Sequence, residues 1–271
     1  MVRVVIIGFP RTATTWMYVK LFHILKQRSR IVYGFFEPFN LEIVKQVVTM
    51  GKVYHDEEGE VPHTYGEDID ILIRLSINDV WFIEWVAVPP CEKYSKPLHP
   101  FLGRCWESLL SKMLSYDPVV LKDVVLWVKL PDLVEQYRDV KFVVPLREYR
   151  YVEESFLKWF REGTKSRFRK FLETKSLRAI FRESELERKC RVPWLLGVGV
   201  FYRYFFGFNN LPKKEKVSES ESCEMLRRVY GVYCDFVEAV RDKPNVYVVE
   251  FSERLTEDRF RPVIEWVLRS E

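Results

Sequence analysis

"RVVIIGFPRTATTWMYVKLF", residues 3–22, decides how the chain is read. Val4, Val5, Ile6 and Ile7 form a short β-branched run, Gly8 and Pro10 interrupt it, and helical spacing resumes from Thr14. A strand that turns directly into a helix brings backbone N–H groups and the positive end of the helix dipole to one point, which favours an anion. The ATP-binding version of such a loop reads G-x-x-x-x-G-K-[ST]. Gly8 and Thr15 satisfy its outer positions, whereas Ala13 and Thr14 stand where the second glycine and the lysine belong. Arg11 instead sets a planar, permanently charged fork at the apex, suited to bidentate contact with a tetrahedral oxyanion. Thr12, Thr14 and Thr15 add hydroxyl donors. The missing lysine, with no Asp suited to magnesium after a later strand, disfavours ATP chemistry.

Working outward, short apolar runs alternate with helical patterns. Strands are expected at 2–7, 31–36, 124–128, 141–145 and 245–251, and helices at 14–27, 41–50, 101–114, 151–162, 219–241 and 256–269. Thr256 followed by Glu257 and Asp258 reads as a helix start. This alternation predicts βαβ units in a mainly parallel sheet. Residues 51–70 and 209–222 have loop composition. One domain over residues 1–271, elaborated by a helical and basic insertion at 158–222, is the expected organisation.

Hydrophobic residues at 48% and aromatics at 15% specify a globular chain. The net charge of +4 implies no nucleic-acid partner. Charge is uneven, however: residues 158–191 carry twelve Lys or Arg against five Asp or Glu. Five cysteines show no C-x-x-C pair, so neither a zinc site nor a disulfide framework is signalled. Eight Asn and Gln in the whole chain lean toward a thermophilic source. The first expected strand begins at residue 2, so no signal peptide is expected. The apolar stretch 192–208 contains Arg203 and glycines and is too short to span a bilayer, which makes a cytoplasmic protein the expectation.

Two segments resemble a known family. "FPRTATTW", residues 9–16, is similar to the 5′-phosphosulfate loop of sulfotransferases, usually Pro-Lys/Arg-Ser-Gly-Thr-Thr-Trp, with Thr12 for Ser and Ala13 for Gly. "FVVPLREYRYVEESFLKWF", residues 142–160, resembles the family's strand ending in Arg with a Ser eight positions later on the next helix, here Arg147 and Ser155. "NVYVVEFSERL", residues 245–255, is similar to a late structural strand of many members. The resemblance implies an α/β, three-layer, nucleotide-kinase-like P-loop fold that binds 3′-phosphoadenosine 5′-phosphosulfate without a metal. Arg11, Thr12, Ala13, Thr14 and Thr15 would hold the 5′ end, Trp16 the adenine, and Arg147 with Ser155 the 3′-phosphate.

Sulfuryl transfer to a hydroxyl also needs a base and positive charge around the leaving phosphate. Aryl and steroid members use a His in Lys-Thr-His-Leu-Pro; "WVKLPDL", residues 127–133, keeps the Lys and the Leu-Pro, making Lys129 a candidate to neutralise the transferring group. Carbohydrate sulfotransferases have an aromatic strand ending in Glu-Pro, and "YGFFEPFN", residues 33–40, offers Glu37 as the base. His99 is the reserve; His23 reads as helix surface, and His55 and His63 fall in the acidic loop. The expected acceptor is a hydroxyl-bearing small molecule, glycan or glycolipid. Two other readings stay open: a small-molecule or nucleotide kinase with a degenerate loop, and an RNA or polyanion binder working through residues 158–191.

Overall fold

The computed structural model describes residues 2–38, 53–55, 59–63, 106–124, 126–161 and 219–269. Compactness divides the chain into two units, one of Met1–Arg74, Cys105–Glu148 and Tyr233–Glu271, the other of Leu75–Arg104 and Tyr149–Val232.

The first unit is built on a five-stranded parallel sheet. Its strands are β1 (Arg3–Ile7), β2 (Tyr33–Phe36), β5 (Val119–Asp123), β6 (Lys141–Arg147) and β7 (Val246–Phe251), in the spatial order β2-β5-β1-β6-β7. An α/β architecture with a parallel central sheet is therefore present. Val4 to Ile7 are wholly buried, as a central parallel strand covered on both faces requires. Helix α1 (Thr14–Arg28) buries Met17, Tyr18, Leu21 and Leu25, a stripe at helical spacing. Helix α6 (Glu257–Leu268) does the same with Phe260, Val263 and Val267, and the Lys141 ammonium donates to the carbonyls of Trp266, Val267 and Arg269 at its end. That lysine meets three orphan acceptors and the negative end of the dipole together. Because β5 flanks β1 on one side and β6 on the other, the winding reverses at β1, and the carboxyl end of β1 is where a ligand crevice forms in such sheets.

Several expectations need correcting. The strand expected at 124–128 is β5, at Val119–Asp123; residues Leu126–Lys129 form a 3-10 turn instead, followed by an unanticipated helix α3 (Leu130–Gln136). Lys122 and Asp123, which precede the expected strand, are both buried in β5, and the Asp123 carboxylate accepts from the Leu126 N–H at 3.0 Å to make the turn after them. The segment read as a loop contains a hairpin, β3 (Val53–His55) paired antiparallel with β4 (Gly59–Val61), in which Val53 and Val61 are opposed and buried. Helix α2 (Trp106–Leu114) occupies the described part of the helix expected at 101–114. The helix expected at 41–50, His99, the stretch 192–208 and the basic segment beyond residue 161 lie outside the described residues.

In the second unit, α4 (Tyr149–Arg161) buries Val152 and Phe156, and α5 (Glu219–Val240) buries Leu226 and Tyr230; Tyr149 packs on Tyr230 at 5.8 Å between centroids and under the Arg227 guanidinium at 5.3 Å. From Tyr233 onward α5 belongs to the first unit, where Tyr233, Phe9 and Trp127 form an aromatic cluster with centroids 5.7 to 5.8 Å apart. Among the described residues no helix is long and apolar enough to cross a membrane.

His63 is a core residue rather than a member of a solvated loop. Its Nδ1 accepts from the Phe36 N–H at 3.2 Å, on the edge strand β2, and burial pushes its pKa down to about 4. The folded protein resists protonation that the unfolded chain accepts near pH 6.5, so stability present above that pH is lost as pH falls toward 4. Urea unfolding should show a loss approaching about 1.4 kcal/mol per pH unit across this window, and His63→Gln should flatten the dependence.

Candidate functional site

The loop after β1 closes on itself. Thr12 donates both its N–H, at 3.3 Å, and its hydroxyl, at 2.6 Å, to the Phe9 carbonyl, and the side chain is fully buried. The hydroxyl expected to serve an anion thus shapes the turn. Gly8 donates to the Asp123 carbonyl at 3.5 Å. A Cβ on Gly8 would lie 2.6 Å from both Pro145 Cγ and Thr14 Cγ2, so glycine lets the loop press against β6.

Arg11 and Ala13 both adopt left-handed backbone, at φ 69° and φ 60°. For a residue with a Cβ, each costs about 1–2 kcal/mol, strain that persists where the surroundings over-determine it, commonly at binding loops. Ala13 is the N-cap of α1 and offers no side-chain acceptor, and the first turn carries no acidic residue, so the positive helix end is not neutralised from within. Thr14 is buried in that first turn; Thr15 and Trp16 are half-buried. Trp16 meets Phe260 edge-on at 5.2 Å, with the Lys20 ammonium 5.7 Å from its ring.

Arg147, at the end of β6, is brought to this loop. Its Nη1 donates to the Arg11 carbonyl at 3.0 Å, its Nε to the Ser252 carbonyl at 3.2 Å, and its Nη2 to the Glu253 carbonyl. One guanidinium therefore ties the loop to the turn after β7, through residues 136 and 105 positions away in sequence. Ser155 is half-buried on α4 and belongs to the second unit. Lys129 does not end a strand: it closes the 3-10 turn and pairs with Asp132 at 3.4 Å in the first turn of α3.

The lysine beside Glu37 is Lys122, which the sequence reading passed over. Glu37 follows β2 with left-handed backbone at φ 47°; its N–H donates to the Lys122 carbonyl at 2.6 Å and its carboxylate receives the Lys122 ammonium. Both side chains are buried. Phe36 and Lys122 are register partners, so they share a sheet face, and Phe36 meets Tyr18 of α1 at 5.5 Å. Lys122 thus rises on the face that α1 covers, with its ammonium 4.4 Å from the Phe36 ring centroid. Burial pushes its pKa down to about 7 and Arg11 lowers it further in sign, while Asp123 acts in the opposite direction. The signal in the sequence was a Lys-Asp pair inside an otherwise apolar run, residues 119–128, since central parallel strands are apolar and a charge there demands a partner.

At one edge of the sheet there are consequently a strained loop with Arg11, the Arg147 guanidinium, and a buried Glu37–Lys122 pair with Asp123 alongside. Asp123, which the sequence reading did not single out as an Asp suited to magnesium, ends β5 next to β1. Among the described residues no group of three or more His, Cys, Asp or Glu is arranged to hold a metal ion. Compared with protein-family models and with curated proteins, the chain matches none.

Two substitutions test the loop. Gly8→Ala should destabilise by about 1–3 kcal/mol through overpacking, whereas Ala13→Gly should stabilise by up to about 1 kcal/mol by relieving the left-handed backbone. Chemical denaturation of the two variants, compared with the parent, gives both signs.

Proposed function

We propose that the protein is a sulfotransferase of the nucleotide-kinase-like P-loop architecture, moving a sulfuryl group from 3′-phosphoadenosine 5′-phosphosulfate to a hydroxyl acceptor. The observation that carries this reading is the meeting of Arg147 with the Arg11 loop at the carboxyl end of β1, since a doubly anionic adenosine compound needs cationic groups from separate segments in one place. In this mechanism the acceptor oxygen attacks sulfur in line, the new O–S bond forms as the bond from sulfur to the 5′-phosphate oxygen breaks, and the acceptor proton passes to the Glu37 carboxylate. Arg11, the N–H groups at the start of α1 and the Thr14 and Thr15 hydroxyls stabilise charge on the departing phosphate. Lys122, rather than Lys129, is the cation beside the base. The Glu-Pro context of Glu37 favours a carbohydrate or glycolipid hydroxyl as acceptor.

A kinase is the second reading, supported by Asp123, whose position at the end of the strand beside β1 suits a carboxylate that holds magnesium. Against it stand the loop without lysine and the Asp123 carboxylate already accepting from Leu126.

Thermal unfolding distinguishes the two. At about 100 times its Kd, 3′-phosphoadenosine 5′-phosphate should add about 2.7 kcal/mol, a rise in Tm of about 5–10 °C for a chain of this size. AMP and magnesium-ATP should add little. Arg147→Ala should lower the Tm of the unliganded protein, because three carbonyls lose their donor, and should also abolish the ligand-dependent rise. Once an acceptor is found, Glu37→Gln should reduce kcat by about 10²–10⁴-fold. Stabilisation by magnesium-ATP alone would establish the kinase reading instead.

A further inference from the structure

Lys122 and Glu37 pose a chemical question that the proposed reaction does not answer. A base clasped by an ammonium is a poor base, because the cation favours the carboxylate form that has yet to take a proton. Here the clasp is double: the Lys122 ammonium holds the Glu37 carboxylate, and the Lys122 carbonyl holds the Glu37 N–H. Glu37 is also fixed in left-handed backbone, so the carboxylate is presented to Lys122 by a conformation that itself costs energy. The ammonium is the movable member of the pair. It ends a four-carbon stem, rests on the face of the Phe36 ring, and belongs to the residue paired with Ile6 and next to Asp123, whose carbonyl accepts the Gly8 N–H at the start of the loop.

We infer that Lys122 is a positioning residue with two stations, masking Glu37 while the loop is empty and moving onto the bound anion when the loop is filled, so that the base is released only with the donor in place. This rests on the reading of the loop as an anion site. An incoming sulfonate or phosphate relieves the repulsion between Arg11 and the ammonium and offers it a second negative partner. Once Lys122 leaves, Glu37 keeps its backbone tie to β5 and its place, but loses the cation that suppresses its basicity. Binding of the donor and exposure of the base become one coupled event, which makes the order of addition donor first.

The consequence is unusual for a catalytic base: removing its charge should improve binding of the donor product. In the parent protein the anion must draw Lys122 away from Glu37. In Glu37→Gln it need not, so affinity for 3′-phosphoadenosine 5′-phosphate, measured by calorimetry, should rise about tenfold. The same substitution made in Lys122→Met should change affinity less than about twofold, since no cation is left to release. A rise that survives in Lys122→Met would mean that Glu37 only repels the anion through space, and the inference would fall. No rise in Glu37→Gln alone would overturn it as well. If Lys122→Met does not fold, as judged by its unfolding transition, Lys122→Gln replaces it, because the amide can still donate to Glu37 without carrying charge. Inorganic sulfate, followed by its effect on Tm, is the second probe. Coupling seen with sulfate but no binding of the nucleotide would leave the two-station lysine standing and sink the sulfotransferase reading. Nucleotide binding with additive effects would do the reverse, and absence of binding by either probe would overturn both.

Discussion

An ammonium group in the middle of a parallel sheet is tolerable only when another group answers its charge. Lys122 sits on β5, one strand from the edge and directly beside β1, where water does not reach it. Its desolvation would cost several kcal/mol uncompensated, and Glu37, coming from beyond the end of β2, supplies the compensation. The pairing joins β2 to β5 through side chains as well as through the ladder, fixes where β5 ends, and leaves Asp123 to cap the turn toward α3. Breaking such a pair from one side leaves a buried charge, so the arrangement is held together more firmly than a surface ion pair of the same length.

The loop after β1 depends on that edge being rigid. Two residues with side chains occupy left-handed backbone within three positions, and nothing local favours this. Thr12 closes the turn onto Phe9 from within, and the rest of the hold is external: Gly8 is pressed against Pro145, and Arg147 draws the Arg11 carbonyl toward the turn after β7. Strand β6 and the turn after β7 therefore cooperate to hold a loop whose own residues would relax elsewhere. A preorganised cationic loop of this kind would not have to be ordered again by the anion proposed for it, which is the physical advantage of storing strain there.

Much of this was legible without coordinates. The strand, turn and helix of residues 3–28 were marked by a β-branched run, Gly8 and the helical spacing after Thr14, all local signals that tertiary context had no reason to override. Arg147, at the end of an apolar strand, and Glu37, closing an aromatic run, were picked out through the resemblance to sulfotransferase motifs. Lys122 was not, since a Lys-Asp pair between Leu121 and Val124 has the composition of a turn, and only a carboxylate 85 residues away makes it a strand. The same reason moved β5 five residues from its expected place. His63 was placed in a loop because acids surround it in sequence, while its actual neighbours are Phe35 and Phe36.

Taken alone, the sequence determined which segments alternate between strand and helix, and that a loop rich in donors follows the first strand. Periodicity and turn chemistry are encoded within a few residues, so they are readable there. Tertiary structure alone decided which polar groups are buried and whom they meet: Lys122 with Glu37, Arg147 with the carbonyls of Arg11, Ser252 and Glu253, His63 with the Phe36 N–H. Burial of a polar group is favourable only with its partner in place, and each of these partners lies tens of residues away along the chain.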